Sequence, residues 1–120
     1  TVNDHQWVEN DFLPRVQQRG AEIIKARGAS SASSAARAAC ETVRAVEHPT
    51  RSGDVFNAAI MSDGAYDIPA GIFSGFPLIS DGAGNVEIVR DYVLSDFAKN
   101  GLKKTADELL EEKNLVKDLI

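Results

Sequence analysis

Two adjacent hydroxyls stand out as groups that could meet a ligand. Ser30 and Ser31 lie just after Gly28, at the start of a run of small residues from Ala29 to Cys40. A glycine that ends one helix, followed by serines that open the next, presents free backbone N–H groups beside an O–H. Such a corner suits a carboxylate, because the N-terminal end of a helix carries partial positive charge. The same two serines also suit a helix N-cap followed by close packing. Physical chemistry alone favours the cap-and-packing reading.

The other reactive side chains point to ordinary roles. His5 and His48 sit in polar segments and are expected in solvent. Cys40, on a helix with a small-residue face, is expected to be buried and inert. Asp63 in Ser62-Asp63-Gly64 reads as a turn residue, and Asp107, Glu108, Glu111 and Glu112 as a solvated helix face. No Cys/His spacing suits zinc. No glycine-rich loop opens a helix after a strand, so the chain has no dinucleotide fingerprint.

The elements that must position these groups follow from periodicity. Asp4 predicts an N-cap for a short helix carrying Trp7 and Val8. A second helix is expected from Asn10 or Asp11, with Pro14 in its first turn and Gly28 at its end. Leu13, Val16, Gly20, Ile23 and Ile24 share one face, expected to meet a core. Ala32, Ala36, Ala39, Val43 and Val46 make the small face of a third helix.

After a loop at His48 to Gly53 the period changes. Strands are predicted over Val55–Ser62, Ser74–Ser80 and Val86–Asp91, the last two joined by the hairpin loop Asp81 to Asn85. Pro77 predicts an edge or a bulge. A long helix should run from Ser95 or Asp96 to the end, with Leu102, Ala106, Leu109, Leu110, Val116 and Leu119 on its apolar face and Lys103 paired to Asp107. The order predicts an α+β unit, helices packed on antiparallel strands.

Composition sets limits. The chain has 120 residues, 43% hydrophobic and 26% charged, with a formal net charge of −5. This balance fits a folded domain and offers no basic face for nucleic acid or an anionic membrane surface. No apolar run approaches the roughly 18 residues of a membrane span. One cysteine permits no internal disulfide, which fits a reducing cytoplasm. The polar start reads as no signal peptide, and the lack of an initiator Met reads as a fragment or a processed product.

An ordered set of motifs resembles one family. Val16-Gln17-Gln18-Arg19-Gly20-Ala21, Ile23 to Arg27, Ser30-Ser31-Ala32 and Ser34-Ala35-Ala36 are similar to the malate dehydrogenases of the cytoplasmic type. Ser62-Asp63-Gly64 with Tyr66 and Pro69, Ser74 with Phe76-Pro77, Ile88-Val89, Asp96-Phe97, and Thr105-Ala106 with Glu108-Leu109 and Glu111-Glu112-Lys113 follow in the same order. The match covers nearly the whole chain. It departs at Ala45 to Thr50, where the family has Trp followed by Gly-Thr, and at Asp67 and Asp91, where it has glycine.

The resemblance implies a domain, residues 1–120, that is the C-terminal catalytic half of the lactate/malate dehydrogenase fold without its first part and without the N-terminal Rossmann domain. It implies an oxidoreductase of the tricarboxylic acid cycle that interconverts malate and oxaloacetate with NAD, bound mainly by the missing half, in a cytoplasmic homodimer. The catalytic His, its Asp partner and the substrate-binding arginines are expected upstream of Thr1, so no catalytic residue is expected in this chain, and the isolated chain is expected to be inactive. Ser30, or its neighbour Ser31, is then expected to line the substrate and nicotinamide pocket. A lactate or NADP-dependent 2-hydroxy acid dehydrogenase, or a stand-alone module without chemistry, are the alternatives.

Overall fold

Asp4 caps α1 (His5–Trp7), its carboxylate accepting the Trp7 N–H at 2.9 Å. In the computed structural model, which describes residues 2–119, the chain does not break after this helix. It passes through a π-helical turn, Val8–Phe12, straight into α2 (Leu13–Arg27). The expected separate start at Asn10 or Asp11 is therefore replaced by one continuous helical run. Pro14 supplies the reason: its ring would collide with the carbonyl four residues back in a regular helix and gives that carbonyl no N–H. A wider turn just before it, with the Leu13 N–H on the Val8 carbonyl five residues back, takes up the mismatch.

Gly28 ends α2 in the left-handed conformation, φ 71°, with its N–H on the Ile24 carbonyl at 2.7 Å. α3 follows over Ala32–Glu47. The predicted stripes on these helices exist but meet no core among the described residues. Val16 and Ile24 are 55% and 51% exposed, and no residue of α2 or α3 is buried. Cys40, expected inside, is exposed as well, because the face of α3 that carries it has nothing packed over it among the described residues.

The chain divides into two compact units, Thr1–Cys40 and Glu41–Ile120. The second holds the hydrophobic core. β1 (Phe56–Met61), β2 (Phe73–Ser80) and β3 (Val86–Ile88) form an antiparallel sheet in the order β1-β2-β3. Alternation aims Phe56, Ala58 and Ile60 of β1, Phe76 and Leu78 of β2, and Val86 and Ile88 of β3 inward. Phe76 and Leu78 are each 1% exposed. α4 (Asp96–Val116) lays Leu102, Ala106, Leu109 and Leu110 against this face, while Val116 and Leu119 stay exposed. Ser95 caps α4 through the Ala98 N–H, and the expected Lys103–Asp107 pair closes at 2.9 Å.

Two strand expectations change. Pro77 lies in the central strand, opposite Asn57 of β1, and not on an edge. β3 is shorter than the predicted Val86–Asp91 and stops at Ile88. The two facts are linked. The Pro77 carbonyl accepts from the Val89 N–H at 2.9 Å, so the side of Pro77 that lacks an N–H faces the β3 side of the sheet. A proline at that point cannot extend the ladder, and pairing ends there.

Buried hydroxyls stitch the irregular segments to the strands. Ser62 donates to the Ile68 carbonyl at 2.8 Å and accepts from the Gly64 N–H at 3.1 Å. Ser80 donates to the Val46 carbonyl at 2.6 Å and accepts from the Gly82 N–H at 3.0 Å, fixing the last turn of α3 to β2. No buried side-chain N or O among the described residues lacks a partner, as a well-folded core requires.

Candidate functional site

Gly28 ends α2 in the left-handed conformation, and residues 29–31 lead directly into α3. The Ser31 carbonyl accepts from the Ser34 and Ala35 N–H groups at 3.2 and 3.4 Å, which makes Ser31 the residue from which the helix starts. Its hydroxyl lies 2.7 Å from the Ser34 hydroxyl, and the Ser34 hydroxyl donates to the Ser31 carbonyl at 2.9 Å. Ser34 has a single proton, so Ser31 is the donor of that pair. Ser31 is half-buried and committed to the turn.

Ser30 differs. It is exposed, its carbonyl takes the Ala32 N–H at 3.0 Å, and its hydroxyl makes no hydrogen bond among the described residues. No acidic residue stands in the first turn of α3. The helix end keeps its partial positive charge without a carboxylate to neutralise it. A free O–H at a positive helix end can donate to a carboxylate or carbonyl oxygen of a small ligand.

The remaining ionisable groups do not assemble into an acid–base pair. The His48 Nδ1–H donates to the Arg44 carbonyl at 3.0 Å, and neither histidine pairs with a carboxylate among the described residues. Asp63 accepts from Arg90 and from the Ala65 N–H. The Arg90 hydrogen bond holds its carboxyl below the usual 3.8, so it is an ionised turn residue with no proton to give near neutral pH, as its sequence setting predicts. Asp81 is lowered in the same way, first by the Asn85 amide and then by the Ala83 N–H. No group of three or more metal-ligating side chains comes together among the described residues.

Comparison with known proteins places this arrangement. Residues 1–120 match the family described as lactate/malate dehydrogenase, alpha/beta C-terminal domain. The chain belongs to that family. This dehydrogenase domain is 50% identical over 119 residues to a malate dehydrogenase of Magnetococcus marinus, covering 99% of the chain and 36% of that protein. Among solved structures it is similar to malate dehydrogenase of Naegleria fowleri, with a TM-score of 0.91 at 41% identity, over 98% of this chain and 36% of the other. A Trichomonas vaginalis lactate dehydrogenase in complex with NADH and oxamate gives 0.86 at 27% identity, again over 98% and 36%. The domain therefore spans about a third of the length of the relatives it matches.

The dehydrogenase domain also has a concave feature that the sequence reading does not predict. A cleft of about 550 Å³ opens between the turn at Tyr66 to Pro69, the segment Tyr92 to Leu94 and α4, where Lys99 and Lys103 reach it. It lies wholly in the second compact unit, whereas Ser30 lies in the first. Tyr66 and Asp67 at its edge have φ of 55° and 60°. These are left-handed conformations that side chains other than glycine adopt at a cost of about 1–2 kcal/mol each. The departure from a glycine at position 67 was visible in the sequence; that two consecutive residues there are left-handed was not.

Proposed function

We propose that this chain is the substrate-side portion of an NAD-dependent malate dehydrogenase, which interconverts malate and oxaloacetate. The observation that carries the reading is the 50% and 41% identity to two malate dehydrogenases over 98–99% of the chain, above the 27–28% to the Trichomonas vaginalis lactate dehydrogenases and the 24% to the malate dehydrogenase of Salinibacter ruber. The relative solved with NADH and oxamate supports a nicotinamide coenzyme and a 2-oxo acid ligand for the intact enzyme.

The residues of this chain fit part of that task. They contain no glycine-rich turn between a strand and a helix, so the dinucleotide has no cradle here. What the chain offers is the Ser30 hydroxyl at the positive end of α3, placed to donate to the dicarboxylate or to the coenzyme's amide. The His, Asp and arginines that would handle the proton and the carboxylates belong to the rest of the enzyme in this reading. The chain alone is then inactive, since such groups act as a unit. A cytoplasmic homodimer completes the proposal. The half-exposed Val16 and Ile24 on α2, with Val43 on α3, offer apolar faces for a second subunit.

The test is steady-state NADH oxidation by the full-length enzyme with oxaloacetate and with pyruvate. Preference for oxaloacetate is expected. Preference for pyruvate would move the chain to the lactate enzymes.

A further inference from the structure

Residues facing one another in the narrow pairs of an antiparallel ladder exchange both N–H···O bonds. The β2–β3 register pairs Leu78 with Ile88, so Pro77 stands opposite Val89 one step on. Half of that exchange exists, since the Val89 N–H donates to the Pro77 carbonyl at 2.9 Å. The other half needs an N–H at position 77, which proline lacks. The Val89 carbonyl is filled instead by the Tyr66 hydroxyl, from a turn 23 residues away in sequence.

We propose that Tyr66 supplies the ladder donor that Pro77 cannot, and that this one side-chain bond fixes the strap of residues 89–94 as a wall of the cleft. Beyond Val89 the strap has little else to hold it: the backbone of residues 90–94 makes no hydrogen bond to another element among the described residues. Arg90 reaches Asp63, but both side chains are more than half exposed, and exposed ion pairs are weak tethers. Tyr66 lines both the cleft and a smaller adjoining pocket of about 210 Å³, together with Tyr92 and Leu94 of the strap. The bond that ends the sheet thus also sets the shape of the space beside it. The left-handed backbone at Tyr66 fits this role, since such a conformation persists where the surroundings over-determine it.

Hydrogen exchange on the full-length polypeptide tests the idea. Tyr66→Phe should lower protection of the Val89 amide by about threefold to tenfold, the size of one neutral hydrogen bond, while the β1–β2 amides change less. Pro77→Ala in that background restores the missing N–H and should return Val89 to within about twofold of the parent. Asp63→Asn, which removes the Arg90 pair, should leave it within about twofold. Pro77→Ala alone should create a new, protected amide at position 77, a readout that stands even where Tyr66→Phe does not fold. A new amide at that position that exchanges freely, an unchanged Val89 amide in Tyr66→Phe, an equal loss across the whole core, or no rescue by Pro77→Ala each overturns the proposal.

Discussion

Ser30 and Ser31 are neighbours with the same side chain and opposite situations. Ser31 spends its proton on Ser34, whose own proton closes on the Ser31 carbonyl; the hydroxyl of exposed Ser30 makes no hydrogen bond among the described residues. If the proposed function holds, Ser30→Ala in the full-length protein should reduce kcat/KM for oxaloacetate by a few-fold to about tenfold, the worth of one neutral hydrogen bond, and leave the melting temperature unchanged. On the same proposal Ser30→Leu should reduce it further, because added bulk at the corner would meet the proposed ligand. Ser31→Ala should instead cost about 0.5–1 kcal/mol of stability with little change in kinetics. Kinetics and thermal melts on the three variants separate these outcomes, and equal losses of stability with unaltered efficiency would reduce the corner to a helix start.

The carboxylate of Asp63 gives a pH prediction. Its folded-state pKa is depressed by Arg90, so its contribution to stability is complete above the unfolded value of about 3.8 and is lost as pH falls through the lower folded value. Asp63→Asn should flatten that acid limb in a series of urea melts, with no difference in shape above roughly pH 5. A limb of unchanged steepness would mean that other carboxylates carry it.

Among elements, the β2–β3 hairpin shows a close approach that periodicity does not predict. Asp81 accepts from the Ala83 and Asn85 N–H groups, closing the loop on itself, and an isolated bridge joins Asp81 to Pro49. Gly82 sits at φ 80°, where a Cβ would stand 2.5 Å from the Pro49 Cδ and 2.7 Å from its N. Gly84 is also left-handed, at φ 90°, yet meets nothing within 4 Å. Gly82→Ala should therefore cost about 2–4 kcal/mol, strain plus collision, and Gly84→Ala only about 1–2 kcal/mol. Urea unfolding of both variants checks the difference; equal costs would remove the collision from the account.

For the molecule as a whole, the second unit has a core of its own, to which α4 contributes and α2 and α3 add no buried residue. No residue of α2 or α3 is buried, and their apolar stripes stay uncovered within the described residues. The isolated chain should then self-associate, with its sedimentation coefficient rising with concentration, and Val16→Asp with Ile24→Asp should suppress this without unfolding the β1–β2–β3 unit. The same chain, free of host enzyme, should oxidise no NADH with oxaloacetate. A strict monomer that binds no apolar dye, or turnover belonging to the chain, would contradict these two expectations.

Local chemistry was legible in the sequence because it depends on near neighbours. Asp4 as a cap, a helix start at Ser95 or Asp96, Gly28 as a left-handed stop, the hairpin at Asp81 to Asn85 and the periods of α2, α3 and α4 all follow from backbone rules that act over a few residues. The α+β class follows from their order, and the ordered motifs pointed to the dehydrogenase family that the comparisons show. Tertiary structure alone decided what depends on partners far away in the chain. Pro77 predicted an edge or a bulge, yet it occupies the central strand in regular register with β1, because its missing N–H faces the point where β3 stops. Cys40 and the stripe of α2 were expected inside, yet lie exposed, because an apolar period says that a face wants cover and not where the cover is. The Tyr66 hydroxyl on the Val89 carbonyl and the left-handed pair Tyr66–Asp67 left no local pattern to read, since a side-chain bond across 23 residues exists only once the sheet and its turn have folded together.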